Sequence, residues 1–449
     1  MPPRNLIPKR HFFWREYMKP ILISFLAVFA ISVSAKELPT AKPEREGMSS
    51  DRLQRVAAMN DRYTNSGRIA GTATAVVRNG KVVHVSTSGK KSVAGDRPIQ
   101  LDDLFRIYSM SKPITAVAAM QLYEQGKFQL TDPVSKFIPE LKDLKVMKNG
   151  KVVPAQKQMT MQQLLNHTAG FSYGFDPNDP VDQAYQKADL FGAKDLDEFI
   201  VKVAALPLKF EPGQQWHYSI AVDVTGLVVQ RLSGQPFDEY LKEHIFEPLD
   251  MKDTFFEVPE DEIGRLLPNH VLNPQNGQAV VITPDIMAGL GFANCRAMCN
   301  YTDVTLYSGG GGLVSTLRDY VRFAEAMRDG ELDGTRILGT KTVNYMRSNH
   351  LPSAIASGGG SGEQPNLVGD PLGGFGFGLG FGIVTDTAAN GAIGSVGAYY
   401  WGGAAGTVFW IDPVENIVVV SMMQLMGGWP SYRPDLRVAT YQSLLDTYE

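Results

Sequence analysis

A hairpin near one end of this 449-residue chain and a second strand pair near the other constrain its fold more than any other feature. Thr74-Ala75-Val76-Val77-Arg78 and Lys81-Val82-Val83-His84-Val85 are β-rich runs around Asn79-Gly80. Asn-Gly is the strongest short-range hairpin signal, because both turn positions must accept positive φ. Far along the chain, Gly406 to Ile411 and Asn416 to Met423 form a second pair of runs separated by Asp412-Pro413. Between these ends the pattern is helical. Asp195 supplies an N-cap and Glu198 an N3 carboxylate ahead of Phe199, Ile200 and Val203, and the run from Val222 to Leu232 stops at Gly234. Strands at both ends with helices between them predict an α/β (α+β) fold. One antiparallel sheet would be built from both chain ends, roughly residues 36–105 and 310–449, beside a mainly helical lobe over roughly 106–309. The crevice between two such lobes is where an active site is expected.

The first residues bear on compartment. Lys9, Arg10, Arg15 and Lys19 lead into an apolar run from Ile21 to Ile31 and then Val33-Ser34-Ala35, the layout of a secretory signal peptide over residues 1–35. The apolar run is too short for a comfortable span, so export with cleavage after Ala35 is expected, to the periplasm, with no stable membrane span afterwards. Net charge is −4 with both signs interspersed, which argues against a nucleic-acid partner. The only two cysteines, Cys295 and Cys299, provide no disulfide framework. An i, i+4 pair on a regular helix is too wide to bridge, so a disulfide between them needs a loop conformation. Ser357-Gly358-Gly359-Gly360-Ser361-Gly362, flanked by further glycines through Gly382, is expected to be a flexible loop.

Chemistry concentrates at Ser109-Met110-Ser111-Lys112-Pro113, which precedes the apolar helical run Ile114 to Leu122. Ser at i and Lys at i+3 share a helix face, and Pro113 is tolerated in a first turn whose N–H groups have no intrahelical partner. A hydroxyl becomes a nucleophile when a base takes its proton, and a desolvated lysine can have its pKa lowered enough to serve. Ser88-Gly89-Lys90-Lys91 has the same spacing but follows a strand, where residues three apart point to opposite faces. Two later segments join Ser109 and Lys112: Trp216-His217-Tyr218-Ser219-Ile220 before the helix from Val222, and Trp401-Gly402-Gly403-Ala404 before the C-terminal strand pair.

The ordered set Ser109-x-x-Lys112, Tyr218-Ser219 and Trp401-Gly402-Gly403 resembles the three motifs of the family holding class C β-lactamases, DD-peptidases and family VIII carboxylesterases. Leu164 to Gly170, Phe210 to Gly213 and Gly311 to Thr316 resemble further segments of that family. The resemblance implies a β-lactamase/transpeptidase-like fold and acyl transfer at Ser109. Lys112 and Tyr218 would share its proton, and the backbone N–H groups of Ser109 and Ala404 would form an oxyanion hole. Trp401, Gly402, Gly403, Ser219 and Ile220 would line the substrate. No metal or organic cofactor is implied. The lactamase pattern has Tyr-x-Asn where Ile220 stands and a Lys where Trp401 stands, so this chain lacks the amide anchor and the cation, as the esterase branch does. The expectation is a carboxylesterase with a small-molecule ester substrate. Its alternatives are a β-lactamase or D-Ala-D-Ala carboxypeptidase using the same residues, and a catalytically silent cell-wall binding protein.

A competing signal is Gly170-Phe171-Ser172-Tyr173-Gly174, which fits the Gly-x-Ser-x-Gly elbow of α/β-hydrolases. That elbow needs a strand before it and a helix after it. Met161 to Asn166 instead reads as helix, and Asp176-Pro177-Asn178-Asp179-Pro180 is a poor helix start, so Ser172 is not expected to be the nucleophile. His167, in a helix-ending turn, is expected to hydrogen-bond locally.

Overall fold

The computed structural model describes residues 37–289, 301–352, 355, 374–427 and 431–448. The expected leader, Cys295, Cys299 and the run Ser357 to Gly362 lie outside them. Among the described residues no helix is long and apolar enough to cross a membrane.

Seven strands form the main sheet: β1 (Gly71–Arg78), β2 (Lys81–Gly89), β3 (Phe375–Phe377), β4 (Gly382–Val384), β5 (Tyr399–Gly402), β6 (Val408–Asp412) and β7 (Ile417–Met423). β1 and β2 turn at Asn79 and Gly80, whose φ values of 54° and 74° are the two positive angles such a turn demands. β7 returns antiparallel to β1, with Ala75 opposite Val420, so both ends of the chain contribute to one sheet. The order is β3-β4-β5-β6-β7-β1-β2, antiparallel throughout.

Because side chains alternate across a strand and both faces of β7 are covered, its residues are buried along its whole length, all apolar but Ser421. Val418, Val420 and Met422 enter the larger core, whereas Ile417, Val419 and Met423 enter a second core on the opposite face. That second core is closed by Leu53, Val56 and Met59 of helix α1 (Ser50–Asn65) and by Leu436 and Ala439 near the chain end. The larger core contains α2 (Ser111–Glu124) packed on α3 (Ala221–Ser233). α3 ends at Gly234 with φ 75°, and Asp195 caps the helix Leu196–Ala204 by accepting from the Glu198 N–H at 2.7 Å. Helix α4 (Leu317–Ala326) lies against the larger-core face, and α5 (Tyr432–Tyr441) belongs to the opposite face.

Three features differ from the sequence expectation. The middle of the chain holds strands as well as helices: His270–Leu272 pairs with Ala279–Val281 and, in parallel, with Leu425–Met426. The glycine-rich stretch from Gly374 to Gly382 is built into the sheet as β3 and the start of β4 rather than continuing a flexible loop. Glycine there answers to space. A Cβ on Gly378 would stand 2.0 Å from the Met346 carbonyl oxygen, while the intervening Phe377, Leu379 and Phe381 are fully buried. The C-terminal pair also starts later than its apolar run, because Gly406, with φ 90°, closes a turn in which its N–H donates to the Gly403 carbonyl at 3.1 Å.

Candidate active site

Residues 103–120 are buried except Ser109, which is partly open to solvent. Ser109 lies in a tight 3₁₀ turn, Tyr108–Met110, immediately ahead of α2, and Tyr108 before it is held at φ 43°. A bulky residue at positive φ is strained, and Asn269 donates to the Tyr108 hydroxyl at 2.5 Å, which ties the side chain down. Lys112 sits in the first turn of α2 and aims its Nζ back at Ser109 Oγ, 3.3 Å away. The amine also donates to the Gly310 carbonyl at 2.6 Å. Burial pushes Lys112 down to about 7, with Asp223 opposing that fall. Near neutral pH a large fraction of the amine is therefore unprotonated and able to take a proton from the hydroxyl 3.3 Å away.

Tyr218, just before α3, faces the same amine, with Lys112 Nζ 4.5 Å from its ring centroid. Burial holds its phenol well above the usual range, and the nearby Ser109 hydroxyl and Trp401 indole N–H offset part of that rise. The Tyr218 hydroxyl is buried and makes no well-formed hydrogen bond among the described residues, although the Ser109 hydroxyl and the Trp401 indole lie close to it. Its ring is fixed by neighbours: His167 at 4.9 Å, Trp401 at 5.3 Å and Tyr173 at 5.4 Å between centroids. The His167 side chain bonds across the fold rather than within its own turn, taking the Ser219 N–H, 52 residues on, on Nδ1 at 3.3 Å. Burial keeps its imidazole well below its ordinary pKa and hence neutral. Ser219 and Ile220 are both buried behind Tyr218, and the Ile220 N–H donates to the Ser172 carbonyl at 3.4 Å.

β5 supplies the third wall. Trp401 is mostly buried against Phe377 and Tyr218. A Cβ on Gly403 would stand 2.4 Å from the Ile107 carbonyl oxygen, so glycine lets this strand end press on the segment leading to Ser109. Ala404 follows in the turn. A Cβ on Gly402 would strike the Arg433 guanidinium, which donates to the Gly403 and Thr407 carbonyls at 3.2 and 3.1 Å and so braces that turn.

A family model described as Beta-lactamase matches residues 52–442. The chain belongs to the beta-lactamase family. Protein Rv1367c of Mycobacterium tuberculosis is similar to it, 33% identical over 384 residues that cover 83% of this chain and 88% of that protein. Esterase EstB of Burkholderia gladioli is 28% identical over 380 residues, covering 82% and 88%. Among solved structures, EstCE1, a hydrolase with promiscuous acyltransferase activity, is similar with TM-score 0.71 and 25% identity, covering 87% of this chain and 99% of its own. Simvastatin synthase from Aspergillus terreus shares the fold with TM-score 0.74 at 23% identity, covering 88% and 98%. The fold is thus of the β-lactamase/transpeptidase type, and the chain stands among hydrolases of that fold.

Within this beta-lactamase-family chain the competing serines are otherwise engaged. Ser172 is fully buried and donates to Asp182 Oδ1 at 2.5 Å. Ser88 donates to Asp61 at 2.6 Å, while Lys91 pairs with Asp103 instead of turning toward it. Sequence reasoning missed Asp223, Tyr173 and Gly310, which surround the Lys112 amine. Asp223 was visible only as an acid inside an apolar helix run, since the segment that meets it lies far along the chain.

Proposed function

We propose that the protein is a serine carboxylesterase in which Ser109 is the nucleophile and Lys112 and Tyr218 are its proton-transfer partners. The observation that carries this reading is the buried Lys112 amine, 3.3 Å from the Ser109 hydroxyl and brought down to about 7. Neutral Lys112 takes the Ser109 proton as Oγ bonds to the ester carbonyl carbon. The carbonyl oxygen gathers charge against the backbone N–H groups of Ser109 and Ala404, donors of a kind worth about 2.7–4 kcal/mol of barrier each. The carbon–oxygen bond to the alcohol then breaks, and the proton passes to that oxygen through Lys112 and the unpartnered Tyr218 hydroxyl. Water attacks the acyl-Ser109 ester by the same route, releasing the acid. No step calls for a metal or an organic cofactor.

Esters are favoured over lactams and peptides because the motif positions that would anchor an amide and a carboxylate hold buried apolar side chains. A lactam or a D-Ala-D-Ala peptide brings an amide and a carboxylate, and an unpaired buried polar group costs about 1–3 kcal/mol, more when charged. Trp401 stands where a cation would pair the carboxylate, and Ile220 stands where an amide anchor would be, fully buried. The walls around Tyr218 are aromatic, from Tyr173, Trp216, Phe377 and Trp401. Two similar proteins, Esterase EstB and the hydrolase EstCE1, support this reading. The test is kcat/KM for a nitrophenyl butyrate, a cephalosporin and a D-Ala-D-Ala peptide on one preparation. The ester is expected to win by orders of magnitude, and a better lactam or peptide substrate overturns the assignment. Export belongs to the same proposal: terminal sequencing of the periplasmic product should begin at Lys36, and an intact, membrane-bound leader contradicts it.

A further inference from the structure

We infer that Asp223 is a positioning residue, a buried carboxylate that fixes the loop holding the Lys112 amine against Ser109 and supplies negative charge toward that amine. This rests on the proposed roles of Ser109 and Lys112. Asp223 lies in the first turn of α3 and is 1% exposed. Its Oδ1 accepts from the Ser308 hydroxyl and from the Gly310 N–H at 3.0 Å, and its Oδ2 accepts from the Tyr173 hydroxyl at 3.0 Å. Gly310 is the residue whose carbonyl receives Lys112 Nζ at 2.6 Å. One peptide residue therefore connects carboxylate to amine, with its N–H on the acid and its C=O on the base.

The loop around Gly310 has no slack. A Cβ on Gly310 would lie 2.3 Å from Asp223 Oδ2 and 2.6 Å from the Tyr173 hydroxyl. At Gly309 it would lie 2.7 Å from the Val222 carbonyl, and Thr115 of α2 donates to the Gly309 carbonyl at 2.8 Å. The loop is thus wedged between the helix that carries Lys112 and the helix that carries Asp223. A carboxylate in the first turn of a helix also complements the helix dipole, but that role alone would not require the contacts to Gly310 and Ser308.

The groups facing Lys112 Nζ are Ser109 at the start of its own helix, Tyr218 ahead of α3, Tyr173 with its ring centroid 5.0 Å away, neutral His167, and Asp223 acting on it electrostatically. Of these only Asp223 favours the ammonium form by its charge, and it opposes the larger effect of burial. Removing the charge while keeping the shape should make the amine both weaker as a base and less well placed.

The experiment measures kcat and KM for a short activated ester from pH 5 to 9 on wild type, Asp223→Asn, Ser308→Ala and Ser109→Ala, with circular dichroism on each. In folded Asp223→Asn, kcat is expected to fall about ten-fold or more with KM nearly unchanged. The acid limb of its kcat/KM profile should move down by about half a pH unit or more. Ser308→Ala keeps the charge and loosens the loop, so its kcat should fall about five-fold with the acid limb unmoved. A folded Asp223→Asn whose acid limb stays put has lost only structural support, and that contradicts the inference. Should Asp223→Asn fail to fold, Ser308→Ala decides: a lowered kcat supports the positioning role and a wild-type kcat overturns it. Activity retained in Ser109→Ala would instead bring down the proposed function on which the inference rests.

Discussion

At the scale of single residues, the site depends on a lysine kept out of water. Burial lowers Lys112 to about 7 from its ordinary 10.5, so the amine gains the neutral form that the proposed mechanism needs as pH rises through about 7. The kcat/KM profile for an ester should accordingly show an acid limb near pH 7 with a plateau above it, and a flat profile from pH 5 to 9 would contradict Lys112 as the base. Lys112→Ala and Tyr218→Phe should each lower kcat by roughly a hundred-fold or more. Because both are proposed to handle one proton, the double variant should lose far less than the product of the single losses, and a fully multiplicative loss would mean independent roles. That Ser109, Lys112 and Tyr218 come together was readable in sequence, because local chain geometry and motif order carry them. Asp223 was not, since what makes it special is Gly310 on a loop 87 residues away.

At the scale of elements, the two strand pairs were readable because Asn79-Gly80 can form a tight turn without strain and because apolar runs bounded by turn residues need a sheet to bury them. β3 and β4 were hidden by composition. Glycine normally signals flexibility, and only the packing of Phe377 and Phe381 and the approach of the Met346 carbonyl give it another meaning here. Gly378→Ala should therefore destabilise the protein by about 1–3 kcal/mol through overpacking, read as a lower urea midpoint at unchanged m-value. A wild-type midpoint would show that the strand end yields freely. The pairing of His270–Leu272 with Leu425–Met426 was equally hidden, being a parallel contact between short segments far apart in the chain.

At the scale of the whole molecule, the sheet joins both chain ends, and stability should carry the mark of groups buried in its packing. Glu325 on α4 is raised to about 7 by burial, with Arg328 offsetting part of the rise at 3.5 Å. The folded state then holds a proton between about 4.5 and 7 that the unfolded chain has released, so this group's contribution makes stability fall as pH rises across that window. Glu325→Gln should flatten that part of the dependence, read as urea midpoints from pH 4.5 to 7.5, and an unchanged slope would contradict the assignment. The central claim concerns which of the chain's many serines is the nucleophile. Ser109 is the one residue open to solvent in an otherwise buried stretch, whereas Ser172 and Ser88 are committed to Asp182 and Asp61. The most direct test is to react the intact protein with a fluorophosphonate, weigh it, and map the modified peptide. A single adduct per chain on Ser109, absent in Ser109→Ala and retained in Ser172→Ala, is the predicted result; an adduct on Ser172, or none on a folded and active preparation, would contradict it.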